Sequence, residues 1–149
     1  MSELFGRRIQ LKKDFKLTEI CFLIAISATF GSLFFSEIMK LPPCSLCWYQ
    51  RICMYPLAVI YGSAIWFNDK EYRKYAYPLL LIGLCLSIYH NLLYYEVIPD
   101  SIAPCSQGVS CTSKQIEFLG FLTIPLMSLA SFSLISILEF FNFKFRRYL

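Results

Sequence analysis

One stretch of the sequence joins a polar loop to a long apolar run, and it reads Pro42-Pro43-Cys44-Ser45-Leu46-Cys47-Trp48-Tyr49-Gln50-Arg51. The two prolines end the preceding segment, and the run from Trp48 onward is typical of a helix. We therefore predict that Cys44 lies near the helix cap and Cys47 in the first turn. Unpaired N–H groups and the positive end of the helix dipole favour a thiolate there. Arg51 follows Cys47 by four residues, so both side chains project from one helix face.

The composition indicates a membrane protein. The chain has 149 residues, of which 57% are hydrophobic and 17% aromatic. It is too apolar for an ordinary soluble domain and too short for more than one domain, so we predict a single domain over residues 1–149. The net charge is +4, but the basic residues flank the apolar runs and form no binding stripe. We therefore exclude nucleic acid as a partner and expect membrane lipid around the chain.

Four apolar runs predict an all-α membrane protein that folds as a bundle of four transmembrane helices. The runs lie at roughly 17–38, 47–67, 75–95 and 118–141, and each has about the 20 residues that a helix needs to cross the hydrocarbon core. The N-terminal segment, the connection after the second run and the C-terminal tail hold most of the 14 Lys and Arg residues. By the positive-inside rule both termini are then cytoplasmic. The two cysteine-bearing loops are extracytoplasmic, where disulfides persist.

Cys44 and Cys47 allow three interpretations: a redox-active disulfide, half of a zinc site with Cys105 and Cys111, or a static disulfide. Structural zinc sites favour short ligand spacings in both pairs, and five residues separate Cys105 from Cys111, so we predict no metal. The Cys-x-x-Cys loop is very small, so its disulfide gains little from chain entropy and is easily reduced. These arguments favour the redox-active disulfide.

Cys105 and Cys111 lie in a loop with Pro104 and Gly108, which suits an accessible disulfide. A purely structural disulfide remains an alternative there. Two pairs on one side of a small membrane protein favour exchange between them, because exchange needs a thiolate that can reach a disulfide sulfur. The remaining cysteines lie within the apolar runs, where we interpret them as small hydrophobic residues; they are Cys21, Cys53 and Cys85.

His90 and Arg51 are ionisable residues within apolar runs, where such residues are costly and often functional. At 1.5 Å rise per residue they lie about 7 Å and about 6 Å below the outer ends of their runs. Alternatively, His90 bonds a neighbouring helix and Arg51 extends to the lipid headgroups. A thiolate, an arginine and a histidine that meet at the hydrocarbon edge suit a lipid-soluble quinone. Its carbonyl oxygens gain negative charge on reduction, and Arg51 or His90 can donate hydrogen bonds to them.

These residues resemble the DsbB family of bacterial disulfide-forming membrane oxidoreductases, and most closely its short BdbC-type branch. The resemblance covers residues 17–142. Its most specific pieces are Cys44-Ser45-Leu46-Cys47-Trp48-Tyr49-Gln50-Arg51 and Gly120-Phe121-Leu122-Thr123-Ile124-Pro125. The resemblance implies a multi-pass enzyme of the bacterial cytoplasmic (inner) membrane that supports disulfide bond formation in exported proteins.

The resemblance also implies an order of electron transfer. A reduced, DsbA-like soluble thiol oxidase attacks the Cys105–Cys111 disulfide, and the electrons pass by exchange to the Cys44–Cys47 disulfide. Cys47 hands them to ubiquinone or menaquinone of the membrane quinone pool, and Arg51 and His90 bind that quinone. The loop with Cys105 and Cys111 is shorter than in the best-known members, which leaves open how it reaches Cys44.

Two alternatives come from outside this family. One is a vitamin K epoxide reductase-like quinone oxidoreductase, but that family places its Cys-x-x-Cys late in the bundle, and here the motif precedes the second run. The other is a tetraspan membrane interaction protein with structural disulfides. It predicts that Cys47→Ser lowers stability and removes no quinone-dependent activity.

Overall fold

The computed structural model describes residues 2–69, 71–99, 117–118 and 122–147. Four long helices account for nearly all of them: α1 (Ser2–Leu33), α2 (Ser45–Phe67), α3 (Arg73–Tyr94) and α4 (Ile124–Arg147). A π-helical segment, Phe34–Ile38, continues α1, and two short strands, β1 (Glu117–Phe118) and β2 (Leu122–Thr123), precede α4. The predicted second cysteine pair, Cys105 and Cys111, lies outside the described residues.

The helices form a ring in which each contacts its neighbours in the sequence. α1 packs on α2, α2 on α3 and α3 on α4, and α4 packs back on α1. Small residues let the helices approach closely. At Gly83 of α3, an added Cβ would lie 2.2 Å from the ring of Phe132 on α4. The centre of the bundle is fully buried and apolar, with Ala25, Leu57, Tyr61, Ala76, Phe132 and Ile135.

Apolar side chains cover the outside of the bundle, and several polar ones lie inside it. Trp66 is 84% and Val59 70% exposed, whereas His90 and Glu139 are each 1% exposed. This arrangement suits a bundle surrounded by lipid, where outward-facing apolar side chains carry no penalty. The all-helical prediction is confirmed apart from the small ladder of β1 and β2.

Three helices in the described part of the chain are long and apolar enough to cross a membrane: Lys16–Ile38, Arg73–Tyr94 and Ile124–Asn142. The second predicted span, residues 47–67, falls on α2, which has 23 residues but is not among the three. Gln50 and Arg51 lower the hydropathy of its first turns. The count of four spans and the side on which the termini lie stay predictions.

The start of α4 differs from the sequence-based expectation. The fourth apolar run begins at Phe118, but Phe118 pairs with Leu122 in an antiparallel ladder, as does Glu117 with Thr123. The helix begins only at Ile124. Pro125 disfavours helical backbone before it and is well tolerated in a first turn. The hydroxyl of Thr123 accepts a hydrogen bond from the Leu126 N–H at 3.4 Å, and this cap fixes the helix start.

A buried polar network joins three helices at the end of the bundle that is remote from the Cys-x-x-Cys motif. Glu139 of α4 forms an ion pair with Arg73 of α3, Nε to Oε2 at 3.3 Å. The Tyr72 hydroxyl donates to Glu139 Oε1 at 3.0 Å and lies 3.1 Å from the hydroxyl of Thr18 on α1. Burial and the charge of Glu139 raise the pKa of Tyr72 to about 12. The network therefore holds α1, α3 and α4 together through polar contacts.

Candidate redox site

Cys44 and Cys47 stand at the N-terminus of α2, as the sequence predicts. Cys44 is the residue that caps the helix, and its Sγ accepts a hydrogen bond from the Cys47 N–H at 3.4 Å. The two sulfur atoms lie 3.0 Å apart, so only small side-chain rotations separate this dithiol from a disulfide. Cys44 is buried and Cys47 is partly exposed. The cap of α2 packs on the end of α3 through Leu46 and Leu93.

His90 of α3 lies against Cys44. Its Nε2 is 3.8 Å from Cys44 Sγ, and its Nδ1 is 3.3 Å from the side-chain nitrogen of Gln50. With the Gln50 amide nitrogen as donor to Nδ1, the ring proton lies on Nε2, which faces the sulfur. Sequence reasoning assigned no role to Gln50. The one feature of the sequence that could have indicated a role for it is a polar side chain within an apolar run.

The surroundings of Cys44 stabilise its thiolate. The hydrogen bond with the Cys47 thiol is the largest cause that lowers the pKa of Cys44, to about 4; burial opposes the shift, and His90 and the Cys47 N–H support it. Cys47 donates this thiol hydrogen bond when Cys44 is ionised. The positive end of α2 acts in the same direction. The reduced pair therefore holds its negative charge on Cys44.

The side chain of Arg51 contacts α1. Its guanidinium donates to the Ser32 carbonyl at 3.1 Å and lies 5.4 Å from the centre of the Trp48 ring. Both ion pairs found in the described part of the chain involve other residues. The charge of Arg51 is therefore not neutralised by any carboxylate that the structure describes.

A cavity of about 170 Å³ lies between α1, α2 and α4 and brings Cys47 and Arg51 together. Its walls are mostly apolar, and it is lined by Ser27, Ala28, Gly31, Ser32, Phe35, Leu41, Pro43, Cys47, Gln50, Arg51, Met54, Tyr55, Ile124, Met127, Ser128, Ser131 and Phe132. His90 is not in this lining. The structure thus separates the two residues that the sequence expects to share a quinone, with Arg51 at the cavity and His90 at Cys44.

One group among the described residues could also hold a metal ion. It consists of Cys44, Cys47 and His90, whose donor atoms all lie within 4.8 Å of one another. Two thiolates and an imidazole suit a soft metal such as zinc. Of the other cysteines, Cys21 and Cys53 are buried in the apolar core and Cys85 is exposed on α3. None of these three reaches the pair at the start of α2.

Comparison of the sequence with known proteins identifies a family. Residues 16–141 match the family model for the disulfide bond formation protein DsbB. The chain belongs to the DsbB family. One relative in this family is a probable disulfide formation protein C 2 of Bacillus cereus, which is 47% identical over 119 residues, covering 80% of this chain and 85% of that protein.

Further DsbB-family relatives cover similar shares of the chain. The disulfide bond formation protein C of Bacillus subtilis is 46% identical, covering 77% of this chain and 83% of that protein. A probable disulfide formation protein of Metapseudomonas resinovorans is 39% identical, covering 80% of this chain and 83% of that protein. No solved structure matches the chain.

Proposed function

We propose that this protein is a membrane thiol-disulfide oxidoreductase that reoxidises a soluble, DsbA-type thiol oxidase and passes the electrons to a membrane quinone. It would act in the bacterial cytoplasmic membrane and support disulfide bond formation in exported proteins. The observation that carries the proposal is the cavity, because its lining includes both Cys47 of the Cys-x-x-Cys pair and the unneutralised Arg51. The names of the family and of the relatives agree with disulfide formation.

The surroundings of the Cys44–Cys47 pair favour its reduced state, so its disulfide accepts electrons readily. Interactions that stabilise the Cys44 thiolate stabilise the reduced pair, and a disulfide whose reduced form is stabilised is a strong oxidant. The hydrogen bond with the Cys47 thiol is the largest of those interactions, and His90, the Cys47 N–H and the positive end of α2 add to it. We therefore assign His90 to the thiolate of Cys44 and Arg51 to the quinone.

The cavity fits a quinone head group. Its lining is mostly apolar and includes the cation of Arg51, and an added Cβ at Gly31 would meet no atom within 4 Å. The volume of about 170 Å³ is similar to that of an engineered apolar cavity of about 150 Å³ that binds benzene, so a small planar ring has enough room. A bound quinone supplies an acceptor for two electrons and two protons. Arg51 can donate hydrogen bonds to an oxygen that becomes more negative, and it needs no carboxylate partner to release first.

The overall reaction balances across two cysteine pairs. The partner's two thiols become a disulfide as the Cys105–Cys111 disulfide becomes a dithiol. That dithiol reduces the Cys44–Cys47 disulfide by exchange. Oxidation of the Cys44–Cys47 dithiol restores its S–S bond, and its two electrons and two protons convert quinone to quinol. For this order of electron transfer, the chain would cross the membrane four times, with both termini in the cytoplasm and both cysteine pairs on the extracytoplasmic face.

Quinone reduction by the purified full-length protein in detergent tests the proposal. A reduced thioredoxin-like partner supplies electrons, and absorbance follows ubiquinone or menaquinone analogues. We expect turnover in the wild type and in Cys85→Ser, whose thiol is exposed away from the pair, and none in Cys47→Ser or Cys105→Ser. Absence of turnover with all quinones and partners, with pairs that stay oxidised, would favour a structural tetraspan protein.

A further inference from the structure

The reduced cysteine pair and His90 bring three metal-ligating atoms together at the start of α2. His90 Nε2 lies 3.8 Å from Cys44 Sγ, the two sulfurs lie 3.0 Å apart, and all three donors lie within 4.8 Å of one another. Around a tetrahedral zinc ion, with Zn–S of about 2.3 Å and Zn–N of about 2.0–2.1 Å, neighbouring donors stand about 3.5–3.8 Å apart. The distance from Cys44 to His90 already has this value, and small side-chain rotations bring the sulfurs to it.

The donor set determines which cations fit. Thiolate sulfur and imidazole nitrogen suit Zn²⁺ and softer ions, whereas Mg²⁺ and Ca²⁺ require oxygen ligands. Three protein ligands leave the fourth position of a tetrahedral site to water. Cys47 is partly exposed and lines the cavity. A cation can therefore enter and leave from the cavity side.

Gln50 provides the outer contact that a metal-ligating histidine usually has. Its amide nitrogen lies 3.3 Å from His90 Nδ1, and both side chains are buried. A metal ion on Nε2 requires the ring proton to move to Nδ1, and a half-turn of the amide then places its oxygen there as the acceptor. Gln50 can thus donate to His90 without a metal ion and accept from it with one.

We propose that Cys44, Cys47 and His90 bind Zn²⁺, or a similar thiophilic divalent cation, when the pair is reduced, and that the bound cation blocks reoxidation of the pair. Binding releases the proton of the Cys47 thiol to solvent, and no electron moves. In the disulfide neither sulfur is a thiolate, so the oxidised site lacks two of its three ligands. The cation therefore stabilises the reduced pair and competes with disulfide formation. The binding site is independent of the proposed function, and the inhibition rests on that function.

Titration of Zn²⁺ into the full-length protein in detergent tests the site. Cys105→Ser and Cys111→Ser in the same chain remove the other predicted pair as a competing site. Co²⁺ is the coloured probe, because its thiolate charge-transfer absorption reports sulfur ligation. We expect one ion per reduced protein and no binding after an oxidant has formed the Cys44–Cys47 disulfide. This comparison uses one protein in two redox states and requires no further variant to fold.

Variants at His90 and Gln50 test the ligand and its outer contact in that background. Gln50→Leu removes the contact and should weaken zinc binding by about 10- to 100-fold, and His90→Ala, which removes a ligand, by at least as much. Gln50→Glu supplies a carboxylate to Nδ1–H and should strengthen binding. A purely structural role of Gln50 would instead weaken binding in both of its variants. Cys85→Ser, which changes an exposed thiol on α3, is the matched control and should leave stoichiometry and affinity unchanged.

Quinone turnover by the wild type tests the inhibition. We expect turnover to fall as Zn²⁺ is added and to return with a chelator. His90→Ala, assayed with the same partner, should need more Zn²⁺ for the same fractional inhibition, which separates the site from zinc capture by the partner's thiols. Equal affinity in His90→Ala and its parent, or equal binding to reduced and oxidised protein, would overturn the site. Zinc binding that leaves turnover unchanged would overturn the inhibition, whereas absence of turnover without zinc would remove the proposed function and not the site.

Discussion

Cys44 and Cys47 have the same chemistry but different surroundings. Cys44 caps α2 and contacts His90, whereas Cys47 follows within the first turn and lines the cavity. The first position stabilises a thiolate, and the second places a sulfur beside the proposed quinone. The spacing of two intervening residues is what allows one pair to serve both tasks.

The lowered pKa of Cys44 predicts how its reactivity depends on pH. A thiol with a pKa of about 4 is ionised throughout the range from about pH 6 to about pH 9, in which an ordinary thiol ionises near 8.5. Alkylation of Cys44 by iodoacetamide in the reduced protein should therefore stay nearly constant over that range and fall only in acid. In His90→Ala one stabilising contact is lost, so the pKa rises and the fall in alkylation on acidification begins at a higher pH than in the wild type.

Mass spectrometry of the Cys44 peptide measures this reactivity, and Cys44→Ser identifies the peptide. A wild-type rate that increases with each pH unit up to the ordinary thiol range would contradict a stabilised thiolate. A His90→Ala profile identical to the wild type would show that His90 does not act on this sulfur.

Helix-to-helix contacts determine which glycines can change. An added Cβ at Gly83 of α3 would lie 2.2 Å from the Phe132 ring of α4, and Phe132 is completely buried. An added Cβ at Gly31 of α1 would meet no atom within 4 Å. Two glycines in apolar helices, alike in sequence context, therefore have different roles: one permits close packing and the other leaves open space.

Gly83→Ala should lower the thermal stability of the purified protein, because overpacking of a tight core costs about 1–3 kcal/mol. Gly31→Ala, the matched control, should keep or slightly raise stability, since alanine favours a helix by up to about 1 kcal/mol over glycine. Thermal unfolding in detergent, followed by fluorescence, measures both. Equal midpoints for the two variants would show that α3 and α4 do not pack closely at Gly83.

The whole bundle is held at two ends by polar contacts of different kinds. At one end the start of α2 meets α3 through Cys44, Gln50 and His90. At the other, Glu139 joins α4 to Arg73 of α3 and to Tyr72, the residue before that helix. These two ends leave the apolar centre between them, and the cavity opens beside the first end.

Glu139→Gln should destabilise the protein by about 3–5 kcal/mol, because it leaves the buried Arg73 charge unpaired. The matched control is Glu71→Gln, which removes an exposed ion pair with Lys74 and should cost less than about 1 kcal/mol. The midpoint of thermal unfolding in detergent compares the two variants. A Glu139→Gln midpoint equal to that of Glu71→Gln would show that the buried pair does not hold the helices together.

The sequence by itself determined the helical architecture and the position of the cysteine motif. Local patterns were sufficient for this, because each concerns one helix or its start. They are the apolar runs long enough to span a membrane, the two prolines before Cys44, and the four-residue spacing from Cys47 to Arg51. The start of α4 was predicted less well, because the fourth apolar run does not reveal the short ladder before the Thr123 cap and Pro125.

Only the tertiary structure decided which distant residues meet. His90 lies 46 residues from Cys44 in the chain, and whether it faces the thiol or the cavity depends on how α3 is rotated against α2. The same holds for Gln50 at His90 and for Glu139 at Arg73. Helix rotation follows from side-chain packing across the whole bundle, and no local sequence pattern specifies it.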